Sequence, residues 1–427
     1  IVMCPWYLAA LPLYFFYMFV KRNNYLTEQH IITVNDKRYK DLDRICFLSK
    51  NLYNAALYII KQEFLVSGKW IRSVELNKKM VAENNVDFRA MSGSSSQQIL
   101  MALDRNLKSY FSAIKAWKRD NKKFTGCPKF PKYKHKTKGR NIFSYSYAQF
   151  KHRGEYIYFP KKEGLQPLKT RCKEGTVKQV RFVPKADCYV IELVYESEVK
   201  EQLPDNNRYM SIDLGVNNFA SIVTNTSNKA VLIDGKKLKS VNQYYNKKKA
   251  KVQSQLKKTN GKENSRRLMN LTRKRNNKVK DYLHKASKEI VGMCLEDNIT
   301  TLIVGHNDGW KQEVNMSKRN NQNFVSIPFE TFISMLRYKS ERQGLRFVEI
   351  NESHTSKCSS LDLEEIKHHD SYVGKRVKRG LFRTKNGILL NADINGAYNI
   401  MRKVKGDAAM PPYRGFGYNP VKKFINK

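Results

Sequence analysis

Apolar positions in the first third of the chain recur at intervals of three and four residues. Leu42, Ile45, Leu48, Leu52, Ala56 and Ile59 fall on one face of a helix predicted from Tyr39 to Val66, with Lys and Arg on the other faces. A second helix is expected from Val74 to Ala82. In SGSSSQQILMALDRNLKSYFSAIKAWKRDNKK, serines able to cap precede a third stripe through Leu100, Leu103, Leu107, Tyr110/Phe111, Ile114 and Trp117. The period then falls to two. NIFSYSY, GEYIYFP, KQVRFVPK and DCYVIELVYE read as short strands of a small barrel or sheet, and EQLPDNN as a linker. Beyond it, MSIDLG, FASIVTN and KAVLIDG read as three consecutive strands. A long basic stretch follows, two helices broken near Asn260-Gly261, with a thin seam through Val252, Leu256, Leu268, Leu271, Val279, Leu283, Ala286 and Ile290. TTLIVGHN is a strand, IPFETFISMLRYKSERQG a helix, LRFVEIN a strand, and NADINGAYNIMRK starts a last helix.

The order βββ–α–β–α–β–α is that of an RNase H-like nuclease domain carrying a helical insertion before its fourth strand. Charge narrows the partner. Lys and Arg number 80 against 38 acids, a formal charge of +42. Such an excess strains a compact fold unless a polyanion neutralises it, which points to nucleic acid. FTGCPKFPKYKHKTKGR alternates Pro, aromatic and Lys; it suits base stacking and phosphate contact as well as it suits a solvated linker. The seven cysteines are scattered with no CxxC pair, which fits reduced thiols rather than a disulfide framework. The opening IVMCPWYLAALPLYFFYMFV is long and apolar enough for a membrane anchor or signal segment, but Pro5 and Pro12 weaken a helix there. A fragment, or a start placed too far upstream, is the favoured reading, with no membrane partner expected.

Asp213 interrupts an otherwise apolar strand, and Asp393 opens the last helix. Taken singly, the first is a strand-end turn residue and the second a helix N-cap. Brought together on one sheet edge, two carboxylates repel unless a divalent cation lies between them. Mg²⁺ favours such oxygen ligands, and two ions can assist phosphodiester hydrolysis.

SIDLGVNNFASI, YLHKASKEIV, GHNDGWKQ, ESHTSKCS and NADINGAYNIMRK, with GCPKFPKYK further upstream, together resemble the TnpB family. These are transposon-encoded RNA-guided DNA endonucleases, including the eukaryotic Fanzor proteins and related to type V CRISPR effectors. The resemblance covers roughly residues 31 to 405. It implies an α/β protein with a small β-barrel: a wedge barrel at 31–205, interrupted by recognition helices at about 38–125, then a RuvC-type nuclease domain at 206–405. That domain would hold the basic insertion at about 241–296 and a degenerate zinc-ribbon segment at about 358–390, followed by a basic tail at 406–427; residues 1–30 stay unassigned. A guide RNA from the element's own end and double-stranded target DNA with a short adjacent motif are the implied partners. The implied location is the cytoplasm or nucleoid of a bacterium, or the nucleus of a eukaryote.

The chain departs from the family pattern in two places. Gly305 stands where the usual second acid ends the fourth strand. Glu352, at the end of the neighbouring strand, is the expected replacement, with Asp308 as the rival. Glu349 sits on the opposite face by strand alternation. The expected set holding two Mg²⁺ ions is therefore Asp213, Glu352 and Asp393. Where relatives carry a CxxC…CxxC ribbon, only Cys358, His368 and His369 remain, so no zinc is expected. LDLEEIKHH is expected to form a short helix, and the following Lys375, Arg376, Lys378 and Arg379 to touch DNA backbone or stay solvated. Lys248, Arg266, Arg267, Arg273, Lys274 and Arg275, with Lys129, Lys132 and Lys134, are the expected nucleic-acid contacts. The leading function is an RNA-guided, Mg²⁺-dependent DNA endonuclease. A nuclease-inactive RNA-guided repressor and an unguided transposition accessory are the alternatives.

Overall fold

The structure, a computed structural model, describes residues 24–226, 229–261, 263–307, 318–411 and 419–425. The apolar opening segment and Asp308 lie outside the described residues. Strand β1 (Asn24–Ile32) leads into helices α1 (Tyr39–Ser67), α2 (Ser73–Ala82), α3 (Val86–Arg89) and α4 (Gly93–Arg119). The first stripe behaves as its spacing requires: Leu42, Ile45, Leu52 and Ala56 are fully buried. Helix α1 stops at Gly68, whose φ of +68° favours glycine, and whose N–H closes the last turn on the Phe64 carbonyl. Ser92 caps α4 by accepting from the Ser95 N–H.

Strands β2 (Phe143–Ser146), β3 (Lys151–Arg153), β4 (Tyr156–Tyr158), β5 (Leu168–Lys169), β6 (Val177–Pro184) and β7 (Tyr189–Ser197) follow. They fall into two antiparallel sheets, one ordered β1–β7–β6–β2 and the other β3–β4–β5. Both sheets and the helices share one core, in which Leu42 and Leu103 meet Phe143, Tyr145, Phe182 and Ile191. Among the described residues β1 and β2 are edges of the larger sheet, so its hydrogen bonding does not close into a ring.

The second half is built on β8 (Tyr209–Leu214), β9 (Asn218–Thr224), β10 (Val231–Asp234), α5 (Lys236–Asn260), α6 (Arg266–Glu296), β11 (Thr301–Gly305), α7 (Lys318–Val325), α8 (Phe329–Arg342) and β12 (Arg346–Ile350). A small sheet of β13 (Lys375–Lys378), β14 (Leu381–Arg383) and β15 (Leu389–Asn391) precedes α9 (Ala392–Lys405) and β16 (Val421–Lys423). The main sheet runs β12–β11–β8–β9–β10–β16. Strand β8 is antiparallel to β9 and parallel to β11, which is parallel to β12. Its two faces are covered differently. Met210, Ile212 and Leu214 pack with Leu283 of α6 and Phe332 and Leu336 of α8. Tyr209 and Ile303 pack with Ala397 and Ile400 of α9. Among the described residues, no helix is long and apolar enough to cross a membrane.

Two local expectations fail. LDLEEIKHH forms turns and bends, not a helix. Its side chains bind backbone and hydroxyl groups that a helix would leave elsewhere: Glu364 accepts from the N–H groups of Ser359 (2.7 Å) and Val373 (2.9 Å), and Asp362 from the Ser359 hydroxyl (2.6 Å). Leu363 sits at a φ of +51°, outside any right-handed helix. The cap of α9 is Asn391, whose side chain accepts from the N–H groups of Asp393 (3.0 Å) and Ile394 (3.2 Å). Asp393 is thereby moved inside the first turn, with its carboxylate free for other work.

Candidate active site

Strand alternation decides where Asp213 points. Met210, Ile212 and Leu214 are committed to the α6/α8 face, so Ser211 and Asp213 face α9. The Ser211 hydroxyl donates to the Ala397 carbonyl at 2.7 Å, tying strand to helix. Gly396 permits the approach: a Cβ there would lie 2.9 Å from Asp213 Oδ2. Asp393, one turn earlier on α9, accepts from Asn218 Nδ2 at 2.8 Å. Its other oxygen lies 3.6 Å from the Arg376 guanidinium of β13.

Glu352 arrives from a third direction, in the loop after β12. Lys403 of α9 pins that loop by donating to the carbonyls of Asn351 (2.9 Å) and Ser353 (3.2 Å), and the Glu352 N–H donates to Asn307 Oδ1 at 3.0 Å. The carboxylate leans into the space that Gly305 leaves empty. A Cβ on Gly305 would stand 2.9 Å from Glu352 Oε2 and 2.4 Å from Ile400 Cδ1. Among the described residues, Glu352 Oε2 is buried with no hydrogen-bond partner. An unsatisfied buried carboxylate oxygen is costly unless something outside the chain answers it. Glu349 turns the other way, to His306 Nδ1 at 2.9 Å and to Arg337.

Asp213 feels both of the other acids. Burial pushes the Asp213 carboxyl well above the usual carboxylate range, and the charges of Glu352 and then Asp393 push it further; Arg376 opposes them. Burial pushes Glu352 up to about 7, against the pull of His306 and Lys403. Among the described residues, no set of three or more His, Cys, Asp or Glu is gathered tightly enough to enclose a metal ion as the chain stands. Like charges spread apart, and Asp393 is turned toward Asn218 and Arg376 instead.

The glycine at 305 gives a direct check. Gly305→Ala should cost about 1–3 kcal/mol, the usual range for overpacking, read as a lower unfolding temperature. An unchanged temperature would show that Glu352 and Ile400 do not fill that space.

The basic candidates divide by geometry. Arg266, Arg267 and Lys274 are exposed on α6, Lys129 and Lys132 are exposed before β2, and Lys248 lies over the exposed Tyr244 ring. Arg273 is instead paired with Asp187 at 2.8 Å. Arg275 is held inward by Asn242 (2.8 Å) and the Ser326 carbonyl (2.6 Å). Lys134 lies over the Tyr53 ring at 5.0 Å, and burial lowers its pKa. These last three cations serve as pins within the fold, since helical spacing reveals a residue's face but not its partner. Cys358 donates its thiol toward the carbonyls of Glu365 (3.4 Å) and Lys367 (3.6 Å). Sequence reading missed Asn218 altogether. The signal was present in MSIDLGVNNFASIVT, where a tight hairpin sets the first residues of β9 beside the end of β8.

Residues 192–311 match a family model described as "Probable transposase", and residues 329–400 match the TNB domain of the Cas12f1-like family. A TnpB-like protein, ORF457, of Acidianus two-tailed virus is 26% identical over 212 residues. The chain is thus similar to TnpB-like and Cas12f1-like proteins. The match to that viral TnpB-like protein covers 48% of this chain and 43% of the relative. A Cas12f1 solved with sgRNA and target DNA superposes with a TM-score of 0.50, over 84% of this chain and 81% of that one, at 14% identity. At that identity the likeness is one of fold.

Proposed function

We propose that the chain is an RNA-guided DNA endonuclease encoded by a transposable element, cutting target DNA in an RNase H-like domain of RuvC type. The 54123 order of β8 to β12, with β8 central and α9 across one face, supports that domain. On this reading, the two sheets and four helices before it form the wedge region and its inserted recognition helices, with the larger sheet open at β1 and β2 rather than closed into a barrel. One observation carries the catalytic reading. Glu352 Oε2 is buried, unpartnered and set into the Gly305 gap on the α9 face that Asp213 and Asp393 share.

The donors fit a hard divalent cation, because the three side chains offer only oxygen and repel one another without one. Asp213, Glu352 and Asp393 would hold Mg²⁺, which when bound supplies Lewis-acid stabilisation of a phosphodiester and a more acidic water. The chain's own part is to keep these carboxylates oriented: Ser211 and Gly396 set Asp213, Asn391 and Asn218 set Asp393, and Lys403 sets the Glu352 loop. The charge of +42 supports a guide RNA and target DNA as partners, with base pairing supplying sequence choice.

Gly305 also favours a second reading, a guided binder that does not cut. Purified chain should carry one defined small RNA, and with Mg²⁺ should cut a plasmid bearing the matching target. Guided binding with no cutting would select the second reading, and cutting with no RNA present would refute guidance.

A further inference from the structure

The three-stranded sheet β3–β4–β5 has two unlike faces. His152, Ile157 and Leu168 turn inward, with Ile157 and Leu168 in the core. Lys151, Arg153, Tyr156, Tyr158 and Lys169 all turn outward and are exposed. Register places them in rows. Arg153, Tyr156 and Lys169 lie directly across from one another on the three strands, and Lys151 lies across from Tyr158. The two rings are 41% and 42% exposed, with centroids 6.4 Å apart and planes tilted by 49°. They do not stack on each other, and neither phenol is sunk in the core. Arg171, two residues beyond Lys169, has a side chain 92% exposed. Acids touch only its margins: Glu155 in the turn pairs with Lys169 at 3.1 Å, Glu174 accepts from the Gly154 N–H of that turn at 2.9 Å, and Glu28 lies 3.9 Å from Arg171.

An exposed sheet face normally carries Thr, Ser, Lys and Glu with scattered rings. Here two large flat rings are framed by cations on neighbouring strands. This is the arrangement that single-stranded nucleic acid needs: a π-surface for each of two bases, and positive charge at the distance of the flanking phosphates. A duplex would not fit, since its bases are stacked inside and present no faces to the tyrosines.

We propose that the outer face of β3–β4–β5 is a stacking platform for single-stranded nucleic acid, with bases on Tyr156 and Tyr158 and phosphates on Lys151, Arg153 and Lys169. The platform rests on nucleic acid being the partner, as in the function proposed above, but not on any cutting. It is far in sequence from the carboxylates and is addressed by a different ligand feature.

The test uses the full chain carrying Asp213→Ala, so that cleavage cannot enter. Labelled single strands of about twelve nucleotides, oligo-U and oligo-dT, are titrated by fluorescence anisotropy. Salt is held near about 0.5 M, where screening suppresses the many other basic contacts. The pair Tyr156→Ala and Tyr158→Ala should weaken binding about tenfold for each ring, and the pair of Phe substitutions should leave it within about twofold. Oligo-U containing 5-iodouridine should photocrosslink within 151–171. Unequal loss for oligo-U and oligo-dT tells which strand the platform prefers and supports the proposal either way. Unfolding temperature controls for folding. Unchanged affinity in the Ala pair, crosslinks confined elsewhere, or a change in oligomeric state without a change in strand binding would overturn the platform. Loss of target cutting in the Asp213-intact chain, with strand binding retained, would count against the nuclease reading alone.

Discussion

Asp213→Asn and Glu352→Gln should each lower the cleavage rate of a guide-matched DNA by at least about a thousandfold, while RNA affinity stays within about twofold of the parent. Both substitutions keep shape and remove charge. Asp213 is locked on the face of β8 that meets α9, with Gly396 giving it room, so an amide there keeps the packing and loses a carboxylate oxygen. The Glu352 result is the sharper of the two. A strand-end residue of no consequence would leave the rate unchanged when replaced by Gln, whereas the acid that fills the Gly305 gap would not. Glu349→Gln is the control, because Glu349 faces His306 and Arg337 on the other side of the sheet. Equal losses at 349 and 352 would point to general damage rather than a site.

Without divalent ions, the protein should lose stability as pH rises from 4.5 toward 7, by up to about 3 kcal/mol from Glu352 alone. The sign follows from proton counting. Below the ordinary glutamate value of 4.5, the carboxyl is protonated whether the chain is folded or not, and nothing is lost. Between 4.5 and about 7 the unfolded chain releases the proton while the folded chain keeps it, so rising pH favours unfolding. Above about 7 the folded protein carries the full cost of a buried charge. Asp213, raised for the same reasons, acts in the same direction. The net charge of the whole chain also changes with pH, so the quantity to measure is the difference between parent and Glu352→Gln in EDTA, by urea unfolding at pH 5 and pH 8. That difference should shrink at pH 8 when Mg²⁺ is added, because ligand binding to the folded state restores stability by mass action. A difference that stays flat with pH would mean that Glu352 is not buried as described.

The fold was legible wherever burial follows a period. The α1 stripe, the break after Asn260 and the strands of the second sheet all show in the spacing of apolar residues, because the core selects for it. The acids were legible as anomalies: Asp213 stands in an apolar strand, and Glu352 follows one. Side-chain partners were not. Arg273, Arg275 and Lys134 read as free cations because the groups that hold them, Asp187, Asn242 and Tyr53, come from distant segments. LDLEEIKHH read as a helix because propensity does not register that Asp362 and Glu364 bind the loop's own amide and hydroxyl groups.

Gly305 ends one strand and Glu352 follows the end of its parallel neighbour, and the second supplies the oxygen for which the first supplies only room. On the proposed reading, a carboxylate has changed its address in the chain while keeping its place in space. Surveys that judge members of such a group by one alignment column would count this chain among the dead. Cleavage by this chain would show that such surveys should score three-dimensional position instead.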